Sequence, residues 1–229
     1  MRPRLYLIEL FAGTHSVSNA LKRSAISRTH ELCVLSVDIK EKFEPTIVAD
    51  INRWDFKAAI GEFLRQKKRA DVVVVHASPP CTEFSTALTT RPRDLRAGTR
   101  NVKRALQIID FVDPDFWFLE NHATGLLKDQ PCMRRYESLR HTTCYCRWGF
   151  PYRKPTSIWT NVPDLTLPMC DSVTPCPIKR EHGRHLVTAQ AGPGGNTREF
   201  PGSGGGEQVY GLPPNLVRYL FKQGIESLQ

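Results

Sequence analysis

Apolar positions along this chain fall into short blocks that alternate between two periods. The runs "RLYLIEL" (4–10), "ELCVLSVD" (31–38), "PTIVADI" (45–51), "ADVVVVHAS" (70–78) and "PDFWFLEN" (114–121) are compact and rich in β-branched and aromatic residues. Each predicts a strand. Between them the spacing changes to that of a helix. "HSVSNALKR" (15–23) is one helical segment, and "WDFKAAIGEFLRQKK" (54–68) is another, with Phe56, Ala59, Ile60, Phe63 and Leu64 on one face. A third can start at a threonine cap, Thr99, with Val102, Ala105, Leu106, Ile109 and Val112 at helical spacing. The nearly continuous apolar run at 72–75 suits a strand covered on both faces. This order of elements predicts an α/β fold, a doubly wound, mostly parallel sheet with helices on both sides. Near the C-terminus, "PPNLVRYLFKQG" predicts a last helix with its prolines tolerated at the start. It is expected to pack back beside the first strand.

In such sheets ligands gather at the carboxyl ends of the strands. Those ends read "ELFAGTHS", "SVDIK", "VADI", "ASPPCTEFS" and "LENH". Gly13 permits a tight turn before a helix that offers free backbone N–H groups. Asp38 can accept hydrogen bonds from a ribose diol, and Asp50 one from an amino group. No GxGxxG or GxxxxGK phosphate loop follows a strand, which argues against dinucleotides and ATP. An adenosine cofactor without polyphosphate fits better. Cys81, behind two prolines at the mouth of the fourth strand, reads as a small core thiol or as a nucleophile.

A chain of 229 residues fits one domain with at most a small appendage. No apolar segment reaches the length of a membrane span. The N-terminal apolar run is short and carries Glu9, so it reads as a strand and not as a signal peptide. An intracellular location, in cytoplasm, nucleoid or nucleus, is the expectation. Seven cysteines with no CxxC pair fit reduced thiols better than a disulfide framework. The formal charge of +9 favours a polyanionic partner, nucleic acid first. The charge concentrates in "TTRPRDLRAGTRNVKR" (89–104), which holds six basic residues against Asp94 alone. Residues 82–98 read as a mobile loop that closes on phosphates.

The strand-end clusters, taken together and in order, resemble the motifs of the DNA (cytosine-5) methyltransferases. The residues that carry the resemblance are "ELFAGTHSVSNAL", "SVDIK", "VADI", "SPPCTEFS", "FLENH" and "RWGFPYRKPTSIWTN", with a weaker echo in "QVYGLPPNLVRYL" (208–220). The family implies a Rossmann-like methyltransferase fold, S-adenosyl-L-methionine as cofactor and S-adenosyl-L-homocysteine as product. It implies double-stranded DNA as partner, with no membrane and no obligate protein partner. Cys81 then adds to carbon 6 of a flipped cytosine. Glu120 meets ring nitrogen 3, Asn121 orients the loop or the base, and Lys154 supplies positive charge near the base. The cofactor would lie against Phe11, Ala12, Gly13, Thr14, His15, Ser16, Asp38, Ile39, Asp50, Ile51, Pro79, Pro80, Tyr210 and Gly211. DNA would meet Ser85, Arg91, Arg93, Arg96 and Arg153. Two relatives in other classes stay open: a tRNA cytosine-5 methyltransferase, and a catalytically impaired protein that only binds nucleic acid.

The chain departs from the family's pattern at three places. "GTHS" stands for the commoner double glycine. After "GFP", a glutamine and two arginines at alternate positions are replaced by Tyr152, Lys154 and Thr156. Tyr210 stands where an asparagine is usual. The resemblance divides the chain into a catalytic core (1–161), a short irregular target-recognition region (162–207) and a C-terminal helix (208–229). So small a module reads few bases. Its Cys170, Cys176, His182 and His185 lie close in sequence and are weak candidates for a structural zinc, to which Cys144 or Cys146 could add a ligand.

Overall fold

The computed structural model describes residues 2–185 and 211–229. Its strands are β1 (Arg4–Leu10), β2 (Glu31–Asp38), β3 (Ile47–Val48), β4 (Val72–Ala77), β5 (Phe116–His122), β6 (Arg140–Cys144) and β7 (Pro155–Thr160). They form one seven-stranded sheet in the order β3-β2-β1-β4-β5-β7-β6. The first five strands run parallel. β7 is antiparallel to both of its neighbours, so the sheet is mixed at that edge. The expected α/β architecture with a mostly parallel sheet is what the chain adopts.

Helices α1 (Ser16–Lys22), α2 (Ile26–Thr29), α3 (Phe56–Leu64), α4 (Leu95–Val112), α5 (Pro177–His182) and α6 (Pro214–Glu226) complete the described fold. Two apolar layers explain why the central strands carry unbroken hydrophobic runs. On one face α3 and α4 bury Phe56, Ile60, Val102 and Ile109 against Ile8, Val75 and Leu119. On the other, α1 and α6 bury Val17, Leu21, Leu216 and Phe221 against Leu5, Leu7 and Val74. Alternate residues of each strand thus face different helices, and both sets must be apolar. α6 approaches so closely that a Cβ on Gly224 would come within 2.6 Å of the Phe116 ring.

The expected loop at 82–98 keeps residues 85–94 free of helix and strand, and both of its flanks are helical. Thr82–Phe84 is a 3-10 turn, and α4 begins at Leu95, four residues before Thr99. Asp94, not Thr99, caps the helix: its carboxylate accepts the Ala97 N–H at 2.9 Å. Phe84 is fully buried, and its ring lies 3.0 Å from where a Gly98 Cβ would be. That contact packs the first helical turn against the turn that follows Cys81.

Candidate active site

The turn between β1 and α1 coils through the left-handed region three times, at Phe11 (φ 57°), Gly13 (φ 47°) and His15 (φ 56°). Only glycine takes this conformation cheaply, so the other two are held by contacts. The His15 ring hydrogen-bonds the Phe43 carbonyl at 2.7 Å. The Gly13 N–H donates to Asp38 Oδ2 at 2.9 Å, which joins the ends of the first two strands. Glu9 is buried beneath the turn, and its carboxylate accepts the N–H groups of Val17 (3.2 Å) and Ser18 (3.3 Å) at the start of α1. Burial pushes the Glu9 carboxyl above its ordinary range. The Ser16 hydroxyl accepts the Leu212 N–H at 3.1 Å and so ties the entry of α6 to the same turn.

A cleft of about 380 Å³ opens over these strand ends. Phe11, Ala12, Gly13, Thr14 and Ser16 line it from the first turn. Asp38 and Ile39 enter after β2, Asp50 and Ile51 after β3, Pro79 and Pro80 after β4, and Gly211 from the C-terminal side. His15 is turned away to Phe43 and does not line it. Tyr210 lies outside the described residues. Two buried polar atoms among the cleft residues, His76 Nε2 and Ser78 Oγ, have no hydrogen-bond partner among the described residues. Buried polar groups are normally satisfied, so they fit a site built for a polar ligand. Burial drives His76 down to about 3, which keeps its ring neutral. Asp38 and Asp50 already accept local N–H groups, from Gly13 and Lys40 and from Asn52. An exposed apolar side chain, Ile39, flanks the same opening. Acidic acceptors beside an apolar wall suit a nucleoside.

At the other end of the same cleft stand Cys81, Glu120 and Lys154. Cys81 precedes the 3-10 turn at 82–84. Burial first, and the negative Glu120 second, push its thiol up, while Lys154 pulls it down. Glu120 is buried near the end of β5. Its Oε1 accepts the Tyr145 hydroxyl at 3.1 Å and also the Thr156 hydroxyl. Burial and the Glu120 charge raise Tyr145 well above its ordinary range, so it stays a donor. Lys154 Nζ reaches the Tyr145 oxygen at 3.5 Å and lies 4.5 Å from the centre of that ring. Asn121 is buried and faces the chain rather than the cleft. Its amide donates to the Pro79 carbonyl at 2.9 Å, so it clamps the loop that bears Cys81. Glu9, His76, Tyr145 and Thr156 were not singled out from the sequence as members of this site. Glu9 lay inside a strand pattern, and Tyr145 is 25 residues from its carboxylate partner.

The basic segment is partly turned inward. Arg91 pairs with Glu83 and holds that carboxyl down to about 2. Arg93 donates to the carbonyls of Ser85 (3.0 Å) and Thr86 (3.2 Å). Arg96 is exposed on the first turn of α4. Arg153 is exposed and donates to the Cys170 carbonyl at 3.3 Å. Ser85 is half-buried at the end of the 3-10 turn. Of the four candidate metal ligands, Cys170, Cys176 and His185 come together. His182 instead lies 3.7 Å from Glu181, and Cys146 takes the fourth place. No helix among the described residues is long and apolar enough to cross a membrane.

No family model matches the chain. It is 28% identical over 206 residues to the "Probable DNA (cytosine-5)-methyltransferase" of Frog virus 3 (isolate Goorha), covering 81% of this chain and 86% of that protein. The Entamoeba histolytica methyltransferase EhMeth superposes over 100% of both chains with a TM-score of 0.54 at 12% identity. A structure described as a "putative DNA modification methyltransferase encoded within prophage" of E. coli matches 68% of this chain with a TM-score of 0.48 at 16% identity. The chain spans less than half of that last protein, 46%. The fold is the Rossmann-like methyltransferase fold. The motif resemblance and this sequence relative, matched over 81% of the chain, point in the same direction.

Proposed function

We propose that this relative of the DNA (cytosine-5) methyltransferases is itself such an enzyme, dependent on S-adenosylmethionine and acting on a cytosine flipped out of duplex DNA. The observation that carries the reading is one cleft with two ends. A strand-end cradle with acidic acceptors lies at one end, a thiol, a carboxylate and an ammonium lie at the other, and two buried polar atoms without partners among the described residues, His76 Nε2 and Ser78 Oγ, belong to the same cleft. When bound, S-adenosylmethionine supplies an electrophilic methyl group. The residues that would hold it are the first turn (Phe11 to Ser16), Asp38 with Ile39, Asp50 with Ile51, Pro79, Pro80 and Gly211.

The protein's own part begins with Cys81. Its thiolate forms a bond to carbon 6 of cytosine, and the carbon 5–6 double bond opens toward the ring's acceptor side. Glu120 hydrogen-bonds or protonates nitrogen 3, which takes the displaced electron density. Carbon 5, now enamine-like, would take the methyl that bound S-adenosylmethionine supplies, leaving the sulfonium sulfur as the thioether of S-adenosylhomocysteine. Loss of the carbon 5 proton then expels Cys81 as a thiolate and restores the ring. Tyr145 and Thr156 orient Glu120, and Asn121 positions the Cys81 loop through Pro79. Lys154 lies where it can favour the thiolate and the developing charge on the base. Arg96 and Arg153, both exposed, and Arg91 and Arg93, once released from their loop partners, suit phosphate contact. Ser85 follows the nucleophile turn on that side. The core at 1–161, the recognition region at 162–207 and the C-terminal segment at 208–229 divide this work between chemistry, base reading and closure of the cofactor end.

The test is methyl transfer from labelled S-adenosylmethionine to duplex DNA, with tRNA as a parallel substrate and Cys81→Ala as control. Label in DNA that Cys81→Ala abolishes is the expected result. Label in tRNA alone would move the substrate to RNA. Label in neither polymer would remove the enzymatic reading and leave a nucleic-acid-binding relative.

A further inference from the structure

Among the described residues, the segment 161–185 after β7 has little apolar material to hold it. Beyond Val162 and Leu165, its buried side chains there are Cys170 and Cys176, which cluster with Cys144 and Cys146 against Met169 and Ile178. Four side chains with ligand atoms converge there. Cys146 comes from the 3-10 turn Tyr145–Trp148 after β6, Cys170 and Cys176 from the loop before and at the cap of α5, and His185 from just beyond α5. All four ligand atoms lie within 4.8 Å of one another.

We propose that Cys146, Cys170, Cys176 and His185 bind one structural zinc ion that latches the recognition segment to the catalytic core. Zinc–sulfur bonds of about 2.3 Å and zinc–nitrogen bonds of about 2.0–2.1 Å at tetrahedral angles place sulfur and nitrogen ligands roughly 3.5 Å apart. His185 Nε2 lies 3.6 Å from Cys170 Sγ and 3.3 Å from Cys176 Sγ. The sulfurs also have the amide partners that a thiolate site wants. The Cys176 N–H donates to Cys170 Sγ at 3.3 Å, and the Lys179 N–H to Cys176 Sγ at 3.4 Å. Arg147 and Arg153 anchor the surrounding backbone through the Pro175 and Cys170 carbonyls and place positive charge around a three-thiolate site. Inert core thiols would not draw a histidine ring against two buried sulfurs. Nor would a disulfide use all three cysteines. So compact a set suits a single ion, since iron–sulfur clusters spread their ligands over several metal centres.

The latch has a consequence for the active site. Cys146 is the chain neighbour of Tyr145, whose hydroxyl holds Glu120. One ion would therefore fix the recognition segment and the turn that orients the carboxylate. It does not depend on the methyltransferase reading, because metal content is measured without any substrate.

The full chain, purified without chelator, is assayed for metals by mass spectrometry and then exchanged with cobalt(II). The expected results are about one zinc per chain and the intense visible absorption of tetrahedral cobalt with thiolate-to-metal charge transfer. Cys146→Ser and His185→Ala should lower metal affinity at least tenfold, whereas Cys144→Ser and His182→Ala should leave it unchanged. Cobalt spectra of the unaltered chain keep the test decisive if a ligand variant fails to fold. A metal-free chain that takes up no cobalt, iron in place of zinc, a Cys170–Cys176 disulfide, or a cobalt spectrum untouched by His185→Ala would overturn the proposal.

Discussion

In the resting chain the Cys81 thiol is pushed up by burial and by Glu120, against the pull of Lys154. An acid whose pKa is raised keeps its proton at neutral pH and yields it on the alkaline side. The thiolate-dependent limb of kcat/KM should therefore climb about tenfold per pH unit through neutrality and level off only in the alkaline range. Lys154→Met removes a charge that lowers the thiol and should shift that limb to higher pH. A limb that does not move would exclude Lys154 from activating Cys81. Glu120→Gln keeps the shape but loses the proton and the charge, and should lower kcat by roughly 10²–10⁴-fold with little change in cofactor binding, read by single-turnover kinetics and cofactor titration. Cys81 and Glu120 were legible in the sequence because each stands at the carboxyl end of a buried strand, Glu120 within β5 and Cys81 in the turn after β4. Tyr145 and Thr156 were not. The sequence indicated only that Thr156 could not supply the positive charge usual at its position. The fold shows what it does instead, since its hydroxyl donates to Glu120.

The elements were read from their apolar periods, and most stand where those periods put them. The central parallel strands β1, β4 and β5 were legible because both of their faces meet helices, whereas the edge strand β3 is only Ile47–Val48, with Val48 exposed. The start of α4 was misplaced because Asp94 and Leu95 sit in a run of arginines, where no apolar stripe betrays a helix. Its first turn forms through the cap and the Phe84–Gly98 contact, neither of which is periodic. β7 carried no alternation long enough to reveal it, and its reversed direction arises only from pairing with β5 and β6. α6 gives a sharp test of packing. Gly224→Val drives a branched side chain into Phe116 and should destabilise the fold by roughly 1–3 kcal/mol in urea unfolding. Gly61→Ala, on the exposed side of α3 with nothing within 4 Å of its Cβ, should stabilise by about 0.5–1 kcal/mol. Equal effects at the two sites would mean that α6 does not rest on the sheet as described.

Taken whole, the molecule carries a formal charge of +9. If exposed cations meet phosphates, the logarithm of the affinity for duplex DNA should fall linearly with the logarithm of salt concentration, by about 0.9 per phosphate contacted. Arg96→Ala should reduce that slope by about one contact, measured by fluorescence anisotropy over a salt series. An unaltered slope would put α4 away from the DNA. The composition points to a polyanionic partner but not to where it would bind, because Arg91 and Arg93 are engaged within their own loop. The central claim is that Cys81 becomes bonded to a cytosine. Duplex DNA carrying 5-fluorocytosine, incubated with S-adenosylmethionine, blocks release because carbon 5 holds fluorine where a proton must leave. The expected product is a protein–DNA adduct that survives denaturing gels and maps by peptide mass spectrometry to Cys81, and that Cys81→Ala cannot form. No adduct, or one mapped to any other cysteine, would contradict the account.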